Sequence, residues 1–162
     1  MFDCFIKIDT LPGECTDSKH KDWIEVMSFS VGVRQAGEAT SAIGGLSTGR
    51  ANFNNLSFTK LNDKSTPGLH KACAEGRHIK STIMELCQAA GDKHCFMRYT
   101  LSDVLVSSVV PTGNTKAQEA KPLEEVSLNY TKINWEYTPI DQAGKPQAAT
   151  KAEWDLKENK GA

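Results

Sequence analysis

No stretch of this 162-residue chain approaches the ~20 consecutive apolar residues that a membrane-spanning helix needs, so membrane insertion is not expected. Basic charge is not in excess either. Lys and Arg total 19 against 20 Asp and Glu, for a formal net charge of −1, which argues against a general nucleic-acid or polyanion binder. Paired Cys-x-x-Cys spacing is missing, and with it the strong sequence signature of a zinc site. The glycine-rich stretch is not followed by Gly-Lys-Ser/Thr and a helix, so it is no phosphate cradle. The N-terminus, Met1 to Asp9, lacks a basic start, a continuous apolar run and a small-residue cleavage site. It reads as a strand rather than a secretory signal, and the expectation is a protein made in the cytosol that leaves only through another machine. Five cysteines (Cys4, Cys15, Cys73, Cys87, Cys95) are an odd number in such a chain, and reduced thiols are the default reading.

What is present is a strand pattern in a chain of single-domain length. A chain of this size buries roughly two-thirds of its unfolded surface and needs no metal or disulfide to fold. Apolar residues mostly recur with period two. Phe2, Cys4, Ile6 and Ile8 share one face of a first strand, and Leu11-Pro12-Gly13-Glu14 turns the chain. A long second strand is predicted from Trp23 to Arg34, with Ile24 and Val26 on one parity and Met27, Phe29, Val31 and Val33 on the other, which implies a bulge. Residues 35–49 carry four glycines and no periodicity, and read as a long functional or mobile loop. Arg50 to Lys60 shows a second parity offset. One helix is expected, capped by Ser65 or Thr66, with Pro67 in its first turn, Gly76 just past its end, and Leu69, Ala72 and Cys73 as its buried stripe. Strands resume at Ile79 to Gln88 and return from His94 to Asp103, with a hairpin tip at Ala90 to Lys93 that centres on Gly91 and Asp92. A β-branched continuation, Val104 to Val110, bends near Asp103, and a last long strand runs from Leu123 to Thr138. Residues 1–138 form the expected domain, and 139–162 a polar tail with one short strand near Trp154. Seven or eight strands and a single helix indicate a mainly β protein, a barrel or a sandwich. Its exposed strand edges must be covered, blunted or used.

The chemistry-bearing residues have plain readings. His70, Cys73 and His78 share spacing that suits metal ligation, but Cys73 belongs to the apolar stripe and no fourth ligand accompanies them. Cys87, His94 and Cys95 flank the hairpin. If the turn centres on Gly91, Cys87 faces Cys95, so a disulfide after export and two reduced strand thiols are both open, with the reduced pair favoured by cytosolic origin. No convergent polar signature marks a catalytic pocket, and the reading is of a non-enzyme without catalytic, metal or cofactor residues. Ser28, Ser30, Gly32, Asn52 and Asn54 face away from the apolar positions of neighbouring strands. They are either the solvent face of an antiparallel sheet or the wall of a wet lumen in an assembly.

Several ordered motifs resemble the haemolysin-coregulated proteins (Hcp), tube subunits of bacterial type VI secretion systems. They are Phe5-Ile6-Lys7-Ile8 with Gly13-Glu14, Trp23-Ile24-Glu25-Val26 with Ser28-Phe29-Ser30, and Leu56-Ser57-Phe58-Thr59-Lys60. The match continues in Asp63-Lys64-Ser65-Thr66-Pro67, Gly76-Arg77-His78, Ala89-Ala90-Gly91-Asp92, Leu105-Val106-Ser107-Ser108-Val109, Glu124-Glu125-Val126-Ser127-Leu128, and a closing Glu153-Trp154 to Asn159. Each is weak alone and the ordered set is specific. The chain departs from the family in having Gly91-Asp92 where Gly-Gly is common, Glu153 where Gly precedes the final tryptophan, and five cysteines.

The resemblance implies a β-barrel of two packed antiparallel sheets with one short flanking helix, similar to phage tail-tube proteins. It also implies homo-hexameric rings that stack into a tube. A contractile sheath drives that tube out of the cell behind a spike protein, with effector cargo in the lumen. An alternative is an exported ring-shaped effector-binding or chaperone module that does not act mainly as a tube. On this architecture Gly37, Ile43, Gly44, Gly45, Leu46 and Gly49 are the candidate ring-stacking loop, and Ser28, Ser30, Gly32, Asn52 and Asn54 the candidate lumen face. No cofactor or nucleic-acid partner is expected.

Overall fold

The computed structural model describes residues 1–35, 37–40 and 45–161, with backbone alone for 37–40 and 45–48. Its strands follow the period-two pattern. In β1 (Phe2–Ile8) Cys4, Ile6 and Ile8 enter the main core, while Phe5 on the opposite face enters a smaller cluster with Cys15 and Cys87. β1 pairs antiparallel with β2 (Ile24–Val26) and with β9 (His78–Gln88). β9 pairs with β10 (Cys95–Thr112), β10 with β11 (Leu123–Asn129), β11 with β8 (Leu56–Leu61), and β8 with β3 (Ser28–Ser30).

β2 and β3 are one passage of chain. It pairs with β1 through Ile24 to Val26 and with β8 through Ser28 to Ser30, and the Met27 amide donates to the Thr59 carbonyl (2.8 Å) at the hand-over. That passage closes the barrel. The predicted Trp23–Arg34 strand is therefore three pieces, β2, β3 and β4 (Val33–Arg34), and the parity offset falls where expected: Ile24 and Val26 are buried, Met27 and Ser28 both face out, and Phe29 packs inward. Among the described residues there are fourteen strands in place of the expected seven or eight, because breaks divide several of the long ones and the 35–49 segment and the C-terminal segment add their own.

The 18-residue β10 bends at Asp103, whose φ is +51°. Met97 to Ser102 pair with β12 (Lys132–Tyr137), and Leu105 to Thr112 pair with β11. The predicted continuous strand Leu123–Thr138 is thus interrupted at Tyr130 and Thr131, opposite the bend, and its inward set switches there from Val126 and Leu128 to Ile133. Beyond β12 lie β13 (Thr150–Asp155) and β14 (Lys160–Gly161), so the 139–162 segment adds two strands to the sheet and not the one short strand expected near Trp154. Trp154 and Leu156 pack against the core.

The helix α1 (Thr66–Glu75) has Pro67 in its first turn and Gly76 in the left-handed C-cap conformation (φ +63°), as its sequence requires, whereas Ser65 stands at the N-cap position without the expected capping hydrogen bond and donates its hydroxyl to Asp63 instead. Leu69 and Ala72 are buried. A buried ion pair ties its start to the barrel. Lys60 Nζ meets Glu124 Oε2 at 2.6 Å, also donating to Asp63 Oδ1 (3.0 Å) and the Leu61 carbonyl (3.0 Å), and Thr66 Oγ1 donates to Glu124 Oε2 (2.9 Å). Neither Lys60 nor Glu124 is exposed at all, and they face each other in register across β8 and β11.

Removing one partner strands the other charge, so Lys60→Met is expected to cost about 3–5 kcal/mol in chemical denaturation, whereas Lys60→Met with Glu124→Leu recovers most of it. At the bend, His78 Nδ1 (3.1 Å) and Lys157 Nζ (3.1 Å) lower the Asp103 pKa, His78 contributing most. A depressed carboxyl pKa adds stability that is complete above the ordinary carboxylate range, near pH 4, and is lost as pH falls through the folded value. Asp103→Asn keeps a residue that tolerates positive φ. It is expected to make the acid limb of the stability curve shallower while leaving the fold intact by circular dichroism.

Candidate functional site

The outward residues of four neighbouring strands form one row. Ser30 on β3 faces Ser57 on β8, Ser57 faces Ser127 on β11, and Ser127 faces Ser108 on β10. Ser57 and Ser127 hydroxyls are 3.0 Å apart, and Ser107 Oγ donates to the Ser127 carbonyl (3.0 Å). A parallel row runs from Ser28 to Thr59, joined by a 2.6 Å hydroxyl contact, and on to Glu125 and Val110. The first row is neutral and carries a hydroxyl at each of its four positions. Parity alone finds Ser28 and Ser30. Ser57, Ser127 and Ser108 were missed because three separate strand registers bring them into line, although the alternations Leu56-Ser57-Phe58 and Val126-Ser127-Leu128 carry the local signal.

The other candidate lumen residues lie elsewhere. Asn52 is in β7 (Asn52–Phe53), which pairs with β4 in a separate two-stranded ribbon, opposite Arg34. The Asn54 amide donates to the Gly32 carbonyl (2.9 Å), and the Asn54 carbonyl accepts from Tyr130 Oη (2.8 Å). Ser28, Ser30, Asn52 and Asn54 are exposed and Gly32 is partly so.

Within the segment 35–49, expected as a long functional or mobile loop, the described residues include two strands. β5 (Gly37–Thr40) and β6 (Gly45–Thr48) form an antiparallel ribbon with Gly37 opposite Thr48, Ala39 opposite Leu46 and Thr40 opposite Gly45. Small residues at these positions hid the pattern, since neither side chain size nor hydrophobicity alternates. Ile43 and Gly44 lie outside the described residues. Gly49 is exposed, and next to it Arg50 Nη2 donates to the Leu156 carbonyl (2.9 Å), fastening the base of the ribbon to the C-terminal segment. Gly45-Leu46-Ser47-Thr48-Gly49 spells the Gly-x-Ser-x-Gly of a nucleophile elbow. An elbow needs a sharp turn from strand into helix, and here Gly45 to Thr48 are a ribbon strand.

At the hairpin tip Gly91 has φ +71°, and Lys19 Nζ donates to the Asp92 carbonyl (2.5 Å). Among the described residues, Val106 to Thr112 of β10 have no strand partner besides β11, and Val110 is 53% exposed. Met27 (57% exposed) and Leu61 (37%) line one recess of about 290 Å³ beside Glu14, Glu25 and Lys121.

The titratable groups gather on another part of the barrel. Arg98 Nε donates to Glu85 Oε1 (2.8 Å), and Glu85 Oε2 meets His20 Nε2 (2.7 Å). His20 Nδ1 meets Asp17 Oδ2 (2.8 Å), and Lys93 Nζ donates to Asp17 Oδ1 (3.0 Å). His20 and then Lys93 hold the Asp17 carboxyl down at about 2. Cys87 and Cys95, directly opposed in the β9–β10 register, are joined by a disulfide beside His20, which corrects the favoured expectation of two reduced thiols. Export is not required for the pairing geometry: the register sets it. His70, Cys73 and His78 are not brought together. His70 Nδ1 bonds the Thr66 carbonyl (2.8 Å), and His78 bonds Asp103. Burial pushes the Cys4 thiol up to about 12 and also raises that of Cys15, the opposite of what a nucleophilic thiolate needs.

The profile of the family described as "Type VI secretion system effector, Hcp" matches residues 5–137. The chain is 36% identical over 159 residues to Protein hcp1 of Pseudomonas aeruginosa, spanning 97% of this chain and 96% of that one. Its fold superposes on a solved structure of a type six secretion system protein with a TM-score of 0.95 and 37% identity, covering both chains completely. Against Hcp1 from Salmonella typhimurium the TM-score is 0.82 at 31% identity, with 99% of each chain covered.

Because Ser57 and Ser30 point away from the core, Ser57→Arg and Ser30→Arg are each expected to change stability by no more than about 0.5 kcal/mol in urea unfolding. Phe58→Arg, one residue along and fully buried, should not yield a folded protein.

Proposed function

The chain belongs to the Hcp family of type VI secretion proteins, and we propose that it is the structural subunit of the secretion tube, assembling as hexameric rings that stack and carry effectors in their lumen. The observation that carries this reading is the neutral serine row Ser30–Ser57–Ser127–Ser108. A wall of small hydroxyls holds water and hydrogen-bonds passing cargo without trapping it through charge. A ring of identical subunits needs heterologous contacts, in which one margin of each protomer meets a different margin of the next. The β10 segment Val106 to Thr112, with β11 as its one strand partner among the described residues, and the Met27–Leu61 recess are candidates for two such unlike margins. In this reading residues 1–138 are the body of the subunit and 139–162 a tail docked through Trp154.

The β5–β6 ribbon, with Gly37, Gly45, Leu46 and Gly49, serves ring-to-ring stacking. Gly91 and Asp92 mark a hairpin tip at the margin of the subunit. The sheath, the tip spike and effector cargo are the partners, and the route runs from the bacterial cytoplasm outward. Among the described residues no helix is long and apolar enough to cross a membrane. The role is mechanical: the subunit transmits thrust and performs no chemistry.

Light scattering across a concentration series is expected to give a particle of six subunits, and a monomer at every concentration contradicts the proposal. Deleting residues 39–47 should leave single rings intact and weaken stacking into longer particles. Rings that fall apart on this deletion would move the ribbon to the lateral interface. Ser30→Glu should alter retention of a co-expressed cargo protein while ring size stays the same, and unchanged retention would show that this face is not the lumen.

A further inference from the structure

A disulfide needs two cysteines, yet four ligand-bearing side chains converge around Cys87 and Cys95. One ligand atom from each of His20, Glu85, Cys87 and Cys95 lies within 4.8 Å of all the others. His20 Nε2 is 3.8 Å from Cys87 Sγ and 3.7 Å from Cys95 Sγ, and Glu85 Oε2 is 2.7 Å from the same nitrogen. A tetrahedral zinc ion with ordinary bond lengths of about 2.0–2.3 Å spaces its ligand atoms roughly 3.3–3.8 Å apart. The two nitrogen–sulfur separations already have that value. Only the sulfurs must part and the carboxylate draw back.

The surroundings are those of a metal site. Asp17 Oδ2, 2.8 Å from Nδ1, fixes the far side of the His20 ring, the carboxylate–histidine arrangement that orients metal-binding imidazoles and leaves Nε2 to ligate. The ring is held in place by stacking on Phe5, with centroids 4.2 Å apart, and by the edge of Trp23 at 4.8 Å. Arg98 grips Glu85 Oε1 with Nε (2.8 Å) and Nη2 (2.6 Å) and leaves Oε2 pointing at the cluster. His20, Glu85 and Cys87 are buried, and Cys95 is partly exposed, which gives the ion an entrance. Two thiolates, one carboxylate and a divalent cation sum to −1, and the Arg98 guanidinium beside Glu85 offsets it. None of these partners is needed to hold two cysteines together.

We propose that the reduced form of this chain binds a thiophilic divalent cation, zinc in class, through Cys87, Cys95, His20 Nε2 and Glu85, and that the disulfide is the metal-free oxidised state of the same site. Interconversion balances simply. A dithiol or phosphine reductant supplies two electrons, the S–S bond breaks, and one proton is taken up on each sulfur. The cation then displaces those two protons as two metal–thiolate bonds form. Reoxidation by a small-molecule disulfide, which accepts the two electrons and two protons and leaves as two thiols, re-forms the protein S–S bond and releases the ion. The chain thus carries metal under reducing conditions and a covalent clasp under oxidising ones. The site does not depend on the ring reading.

Cobalt(II) titration of the full-length chain tests this, in a phosphine reductant that does not compete for the metal. The reduced chain is expected to take up one equivalent with the thiolate-to-cobalt charge-transfer and intense visible bands of tetrahedral cobalt, which zinc then bleaches. The oxidised chain should show none. Cys95→Ser and His20→Ala should abolish the signature, and Asp17→Asn should weaken affinity about 10–100-fold. Cys15→Ser and Cys73→Ser should leave it unchanged. A folded, reduced chain without tetrahedral bands, or bands that survive Cys95→Ser, overturns the proposal. If reduction or His20→Ala unfolds the chain, circular dichroism with added zinc decides. Zinc-driven refolding of the reduced wild type supports the site, and its absence refutes it.

Discussion

Closure of the barrel rests on seven residues. Between Ile24 and Ser30 the chain leaves β1 and joins β8, and it does so by turning one extra residue, Met27, out of the alternation. Without that offset the passage could pair correctly on one side only, because a one-residue slip exchanges the two faces of a strand. With it, Ile24 and Val26 enter the core from one end and Phe29 from the other, while Ser28 and Ser30 face out. Each buried aliphatic or aromatic side chain is worth roughly 1.5–3 kcal/mol. The core thus locks the register that in turn aligns the exterior serines. The dry interior and the wet exterior wall are two consequences of one pairing.

The second corner works the same way. β10 and its neighbour bend together, at Asp103 on one strand and Tyr130–Thr131 on the other, so that β10 pairs with β12 before the corner and with β11 after it. The Thr131 amide bonds the Ser102 carbonyl across the corner (3.1 Å), and the Asp103 carboxylate gathers His78 and Lys157 from flanking segments. A buried pair, Lys60 with Glu124, then docks the start of the helix onto the barrel wall. Charge inside this protein positions elements.

Most of the strand content was legible because period-two alternation is a local signal, and so was the helix, whose Pro67 and Gly76 sit where helix ends demand them. The parity offsets near Met27 and after Tyr130 marked real interruptions. What escaped depends on distance in the chain. Lys60 continues the inward parity of Leu56 and Phe58, but nothing local announces that Glu124 lies opposite. The serine row needs three registers at once. His20, read as part of a polar approach to a strand, is among the most buried residues, placed there by partners 65 positions away in Glu85 and 67 in Cys87. The β5–β6 ribbon leaves no periodic signal in the sequence, because Gly, Ala, Ser and Thr do not report which way they face.

The account turns on where the hydroxyl face goes when copies of this chain come together. A density map of the purified assembly, from electron cryomicroscopy, answers it most directly. The account predicts closed six-membered rings with Ser30, Ser57, Ser127 and Ser108 of every subunit lining the central channel. Rings with that row on the outer circumference, or particles that never close, would contradict it.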